Sequence, residues 1–229
     1  MKYLVVIPAR GGSKGIPHKN IKPLNGKPLI YYTIDVARGV AADNDICVST
    51  DDAEIIKCVE EYGLHVPFVR PAELATDKSG TYEVLLHALD YYESRGCHYD
   101  AVLLLQNTSP FRTIDHVKDA LQLYRSDIDM VVSVSKSKTN PYYNCFEEDA
   151  KGFLIKTMEK TTFVRRQDAP ITYEYNGAIY VINSSQMKKM PLANFTKRVK
   201  YEMDDIHSLD LDNMIDWQFA EFVIKEGII

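Results

Sequence analysis

Apolar residues in this chain fall into two kinds of pattern. Short unbroken runs at residues 4–7, 46–48, 101–105, 130–132 and 178–182 alternate with longer stretches whose apolar positions lie three or four apart. The run Leu4-Val5-Val6-Ile7 is too short for an ordinary helix and β-branched enough for a buried strand. Further strands are predicted over 46–50, 101–105, 130–134 and 178–182, with a short extended piece at 66–69. Helical spacing predicts helices over 28–37, 53–62, 81–94, 114–124 and 214–225. Pro28 suits a first helical turn, Gly63 closes the second helix, and the last helix carries the only tryptophan, Trp217. Arg70-Pro71 must be extended or turning. Strand and helix alternate, which predicts a largely parallel sheet covered by helices on both faces.

The rhythm breaks near residue 136. Ser135 to Asn144 is polar, proline-marked and aromatic, and the stretch from there to Asp168 has weak alternation and many charges. The chain is therefore divided into a main domain, residues 1–136 and 176–229, and an excursion over 137–175. Such an arm covers a site or pairs with another subunit.

Composition narrows the class. Of 229 residues, 45% are hydrophobic and 26% charged, enough for a sizeable soluble core. The formal charge of −5 gives no global field for nucleic acid, so any basic site is local. The first residues lack the apolar run of a signal peptide, and no stretch is long enough to span a bilayer. Cys47, Cys58, Cys97 and Cys145 are isolated and read as reduced thiols in a cytoplasm.

The candidate chemistry begins where the first strand ends. Pro8-Ala9-Arg10-Gly11-Gly12-Ser13-Lys14-Gly15 is followed by Lys19-Asn20. The glycines permit close backbone approach, and consecutive loop N–H groups can form an anion-binding nest. Arg10, Lys14 and Lys19 supply three cations within ten residues. The spacing is neither Gly-x-Gly-x-x-Gly nor a P-loop. Glycines and cations delivered to one sheet edge by a buried strand make a phosphate site, read here as a triphosphate cradle.

Ligands of open α/β sheets sit beyond the carboxyl ends of the strands. Two further loops occupy such places, Arg70 to Ala75 and Gln106-Asn107-Thr108-Ser109-Pro110-Phe111-Arg112. They bring Arg70 and Gln106 towards the crevice with Arg10. Near the end, Ser208-Leu209-Asp210-Leu211-Asp212 alternates leucine with aspartate, so an extended backbone points both carboxylates one way. Paired hard oxygens suit Mg²⁺, which binds through one or two carboxylates plus substrate phosphates.

These motifs resemble, in order and over nearly the whole chain, the cytidylyltransferases that make CMP-sialic acids. Asn176-Gly177-Ala178-Ile179-Tyr180 is a further landmark of the resemblance. It implies a three-layer α/β/α nucleotidyltransferase fold, Rossmann-like, with a small dimerisation arm. It also implies the nucleotide-binding set Ala9, Arg10, Gly11, Ser13, Lys19, Asn20, Arg70 and Thr81. Gln106, Arg166 and Tyr180 would serve the acid substrate, Arg166 from across a homodimer interface, and Asp210 and Asp212 would hold Mg²⁺. Arg10, Lys14, Lys19 and Asp212 carry catalysis in this reading.

Two positions depart from the family pattern. Asn107 stands where the family usually has proline. Glu174 stands where neuraminate-using members can carry arginine, and the surroundings of Arg166 and Glu174 look closer to enzymes of legionaminic or related acids. The expected activity is CMP transfer from CTP to a nonulosonic acid in the cytoplasm. Alternatives are a nucleotidyltransferase acting on a sugar-1-phosphate, a glycosyltransferase using Asp-x-Asp, and a non-catalytic nucleotide binder.

Overall fold

The computed structural model describes residues 1–76, 79–158, 163 and 165–229. The chain runs β1 (Tyr3–Pro8), β2 (Pro23–Leu24), β3 (Lys27–Pro28), α1 (Leu29–Arg38), β4 (Ile46–Ser49), α2 (Ala53–Glu61) and α3 (Thr81–Glu93). It continues through β5 (Ala101–Leu105), α4 (Ile114–Gln122), β6 (Met130–Lys136), β7 (Phe146–Glu148) and β8 (Leu154–Lys156). β9 (Tyr173–Asn183), α5 (Ser184–Met187), β10 (Arg198–Glu202) and α6 (Met214–Lys225) complete it.

Six strands form one sheet in the order β10-β6-β9-β5-β1-β4. β1 pairs parallel with both β4 and β5, and β10 pairs parallel with β6. β9 is antiparallel to both its neighbours, so the sheet is mostly parallel with one reversed strand inserted between β5 and β6. The period-two alternation splits β1 cleanly between two cores. Val5 and Ile7 pack with residues of α1, α2 and α4, whereas Leu4 and Val6 pack with residues of α3 and α5. Both faces are covered, giving the three-layer α/β/α architecture.

A third, smaller cluster decides where the loops go. Trp217, Ala220 and Val223 of α6 pack with Ile16, Leu24, Leu29, Phe111 and Leu211, all buried. The last helix thereby clamps the end of the glycine loop, the loop after β5 and the acidic segment together. Asn213 caps this helix through Ile215 and Asp216, and the Asp216 side chain returns to the Asn213 backbone as a capping box.

Pattern-based boundaries agree within a few residues. Differences are confined to pieces that periodicity does not mark. β10 has an exposed–intermediate alternation and sits at the sheet edge, where polar residues hide a strand from a search for apolar runs. The β2–β3 ribbon turns on Asn25 and Gly26, both at positive φ, 48° and 78°. Pro28 is the N-cap of α1 and not part of its first turn. The arm leaves after Lys136 and rejoins at Tyr173, slightly earlier than expected, because β9 begins before its apolar run. It holds the β7–β8 hairpin, with residues 159–162 and 164 outside the described set.

Candidate active site

The carboxyl ends of β1, β4 and β5 lie side by side, and β9 starts at that same edge because it runs the other way. The loops leaving these strands enclose a cavity of about 420 Å³. Arg10, Ser13, Lys14, Lys19, Asn20, Arg70, Thr81, Gln106 and Asp212 all line it. Eight positions from four separate motifs, together with Thr81, thus share one crevice.

The glycine loop is held from several sides. The Ala9 N–H donates to the Ser49 carbonyl at 2.9 Å, and the Gly11 N–H donates to Asp51 Oδ1 at 3.1 Å. The Ser13 N–H donates to the Gly11 carbonyl at 3.0 Å. The Gly11 and Ser13 N–H groups of the expected nest are therefore spent inside the protein, which leaves the cavity wall here to the side chains of Arg10, Ser13, Lys14 and Lys19. Ala9 is buried in the core, and neither Ala9 nor Gly11 lines the cavity. Their part is to shape the loop. Gly15 is required for space, because a Cβ there would overlap the backbone carbonyl oxygen of Asp212.

Lys19 ties the loop to the acidic segment. Its Nζ donates to the Leu211 carbonyl at 2.6 Å and lies 4.0 Å from Asp212 Oδ1. The segment is fixed further by the Leu211 N–H donating to the Thr108 carbonyl at 2.9 Å, and by Asn176 Nδ2 donating to Ser208 Oγ at 2.9 Å. Leu209 and Leu211 turn into the α6 cluster, as the alternation predicts. The two aspartates then differ in depth. Asp212 is exposed at the cavity wall, whereas Asp210 is half-buried and does not line the cavity. Burial raises the Asp210 carboxyl above its ordinary value, with a hydrogen bond from Thr108 and the charge of Lys19 opposing and Asp212 reinforcing the rise. Its Oδ1 is buried with no hydrogen-bond partner in the protein.

That orphaned oxygen beside a second carboxylate tests the fit of a divalent cation. Two hard carboxylate oxygens, one wanting a partner, with room for phosphate oxygens in the cavity, suit Mg²⁺. Among the described residues no group of three or more acidic, histidine or cysteine side chains could hold a metal without substrate.

Arg70 is buried, its Nε donating to Ser49 Oγ at 3.0 Å and an Nη to the Ser49 carbonyl. Burial lowers its guanidinium below the ordinary value, partly offset by Asp51. Thr81 opens α3, whose N-cap, Gly80, makes no side-chain cap, so this helix end meets the cavity.

Tyr180 and Arg166 are not brought to the cavity within one chain. Tyr180 packs edge-on to Tyr175 with centroids 6.1 Å apart, and its phenol is pushed up to about 12, mainly by burial. Arg166 lies in a groove of the arm with Lys136 and Asn140, an Nη donating to the Ser137 carbonyl at 3.4 Å. Glu174 is exposed on the arm end of β9, within 3.4 Å of Ser137 Oγ.

Two residues of the Gln106–Arg112 loop that were given no site role turn out to be buried and hydrogen-bonded around the crevice. Asn107 is buried and its Nδ2 donates to Asn20 Oδ1 at 2.8 Å. Arg112 is buried below Gln106, its Nη groups donating to the carbonyls of Gln106 at 2.6 Å and Ala178 at 3.0 Å and to Thr33 Oγ1 at 2.5 Å. Burial pushes its guanidinium down to about 9, with the Asp210 charge opposing. Arg112 fastens the loop after β5 to β9 and α1. A polar side chain at a loop end reads as solvated until the fold buries it.

A mostly parallel α/β/α sheet with a cationic loop after β1 and a carboxylate pair opposite defines a nucleotidyltransferase-type site. The cytidylyltransferase family model matches residues 4–226, and the chain belongs to that family. It is 36% identical over 228 residues to the CMP-N,N'-diacetyllegionaminic acid synthase of Legionella pneumophila, covering 98% of this chain and 97% of that protein. It is also 36% identical to the N-acylneuraminate cytidylyltransferase of Streptococcus agalactiae serotype III over 99% of this chain, spanning 55% of that longer protein. Among solved structures, a CMP:2-keto-3-deoxy-manno-octonic acid synthetase complexed with CTP shares the fold, with a TM-score of 0.70 at 17% identity over 99% of this chain and 100% of that chain.

Proposed function

We propose that this protein transfers CMP from CTP to the anomeric hydroxyl of a nonulosonic acid and releases pyrophosphate. The observation that carries the reading is the convergence of Arg10, Lys14 and Lys19 with Asp212 and Gln106 on one cavity. The hydroxyl oxygen forms a bond to the α-phosphorus, the bond from that phosphorus to the bridging oxygen of the β-phosphate breaks, and the hydroxyl proton leaves to solvent. The chain mainly positions reactants and neutralises charge, as in other phosphoryl transfers. Arg10, Lys14 and Lys19 stabilise the departing pyrophosphate. Asn20, Arg70 and Thr81 hold the nucleoside end, and Gln106 meets the acid.

Asp210 and Asp212 would hold Mg²⁺, which would supply Lewis-acid neutralisation of the charge on the phosphates. In a homodimer, Arg166 of each arm serves the neighbouring cavity, which accounts for its distance from its own. Among the described residues no helix is long and apolar enough to cross a membrane, and the four free cysteines suit a reducing cytoplasm. The resemblance around Arg166 and Glu174 and the Legionella relative favour legionaminic-type acids as the acceptor.

The test is pyrophosphate release with Mg²⁺, CTP and N-acetylneuraminate, KDN, legionaminate or KDO, with GTP and UTP alongside. Turnover with CTP and one acid is expected. Turnover only with a sugar-1-phosphate would overturn the assignment in favour of the other nucleotidyltransferase class.

A further inference from the structure

We propose that Asn107 is a positioning residue for the nucleotide phosphates, acting through Asn20 on the backbone of Arg10. The inference rests on the reading of the cavity as a CTP site. Asn20 and Asn107 are 6% and 2% exposed. Asn20 Nδ2 donates to the Arg10 carbonyl at 2.8 Å, and a carbonyl only accepts, so the orientation of the Asn20 amide is fixed. Its Oδ1 therefore faces Asn107, which must present Nδ2, and does so at 2.8 Å. Neither amide can turn over without setting two acceptors against each other. The remaining end of Asn107, Oδ1, is buried and has no partner. Asn107 also lines the cavity, and within the protein its side chain is committed through the N–H alone, to Asn20.

The topology gives that N–H its use. β1 lies between β4 and β5, and its loop is tied on the β4 side through Ala9 to Ser49 and through Gly11 to Asp51. The two-amide relay is the corresponding tie on the β5 side. It references Arg10, on the phosphate side of the cavity, to the loop that also carries Gln106. The tie depends on asparagine at 107, because a proline there would have no side-chain N–H to offer.

Calorimetric binding of CTP with Mg²⁺ and steady-state kinetics test the relay together. Asn107→Asp keeps the shape and replaces the donor by an acceptor, so Asn20 must either face a carboxylate or abandon Arg10. The Kd and KM for CTP are expected to rise roughly tenfold, the worth of about one buried hydrogen bond, with the KM for the acid changed less than about twofold. The Asn20→Ala/Asn107→Asp double variant is expected to be no worse than Asn20→Ala alone, because both break one chain of contacts. Asn107→Leu repeats the series without a buried charge, should the aspartate variant fail to fold. Full CTP affinity in a folded Asn107 variant, additive losses in the double variant, or a loss confined to the KM for the acid would each overturn the proposal. Wild-type protein that binds CTP but turns over no acid would defeat the functional reading alone, and the calorimetric series would still decide the relay.

Discussion

Three glycines share the loop after β1, and the fold gives them very different room. None has a positive φ, so space alone decides what a methyl group costs. At Gly15 the added Cβ would overlap the Asp212 carbonyl oxygen, a backbone atom that cannot swing aside. The loop and the acidic segment must separate by more than an ångström. That strain costs about 1–3 kcal/mol, roughly 3–10 °C in Tm for a domain of this size. The same shift pulls Asp212 and the Lys19–Leu211 contact out of register, and a misplacement of ~1 Å costs about a hundredfold in turnover. At Gly11 the methyl meets the Asp52 side chain, which accepts from the Glu54 N–H at 2.8 Å and the Ile55 N–H at 3.2 Å to cap α2. Moving it costs about 1 kcal/mol of capping. At Gly12 nothing lies within 4 Å, so the change stays within about 0.5 kcal/mol. Thermal denaturation and pyrophosphate release on Gly11→Ala, Gly12→Ala and Gly15→Ala measure the ranking. A Gly15→Ala enzyme with wild-type turnover, or a Gly12→Ala enzyme as damaged as Gly15→Ala, would refute the reasoning.

Other substitutions probe separate parts. Asp212→Ala is expected to lose turnover with an unchanged melting curve, since its carboxylate is exposed at the cavity wall; retained Mg²⁺-dependent activity would count against the metal role. Arg112→Leu strands the buried carbonyl of Ala178 and the hydroxyl of Thr33, at about 1–3 kcal/mol for each unmet group, so Tm is expected to fall by about 6 °C or more. Arg112→Lys, which keeps the charge but not the planar fork, should recover only part of that fall. Asp129 Oδ2 accepts from the Thr196 and Lys197 N–H groups, both at 2.8 Å, and so pins the start of β10. These bonds hold its carboxyl below the ordinary value, so its stabilisation is present above the ordinary aspartate pKa and is lost as pH falls through the lowered one. Asp129→Ala should therefore cost about 1–2 kcal/mol at neutral pH and almost nothing in strong acid, a gap that urea titration at two pH values would read.

Much of the site was legible before folding was considered. Arg10, Lys14 and Lys19 stand close together with glycines, Asp210 and Asp212 alternate with leucines, and the structure lines one cavity with the three cations and Asp212. Depth was not legible. Asp210 and Asp212 look equivalent in the alternation, yet one is half-buried and the other exposed on either side of Leu211, which is fully buried in the α6 cluster. Asn107 stood out only as a departure from the family's proline and Arg112 only as part of a polar loop, since polar residues in a loop are usually solvated and only their neighbours in space made them structural.

Local pattern by itself determined the apolar strands and the five longer helices, because side-chain period and turn chemistry act between residues a few positions apart. It also determined the chemical inventory of the loops. The tertiary structure decided the order of the strands, the reversed insertion of β9 and the polar edge strand β10. It decided as well that Lys19 meets Leu211 across 192 residues of chain. Such contacts are set by which apolar faces are buried together and by how closely the backbones can then approach. Gly15 lying against Asp212 is a consequence of the assembled fold that no local stretch of sequence contains.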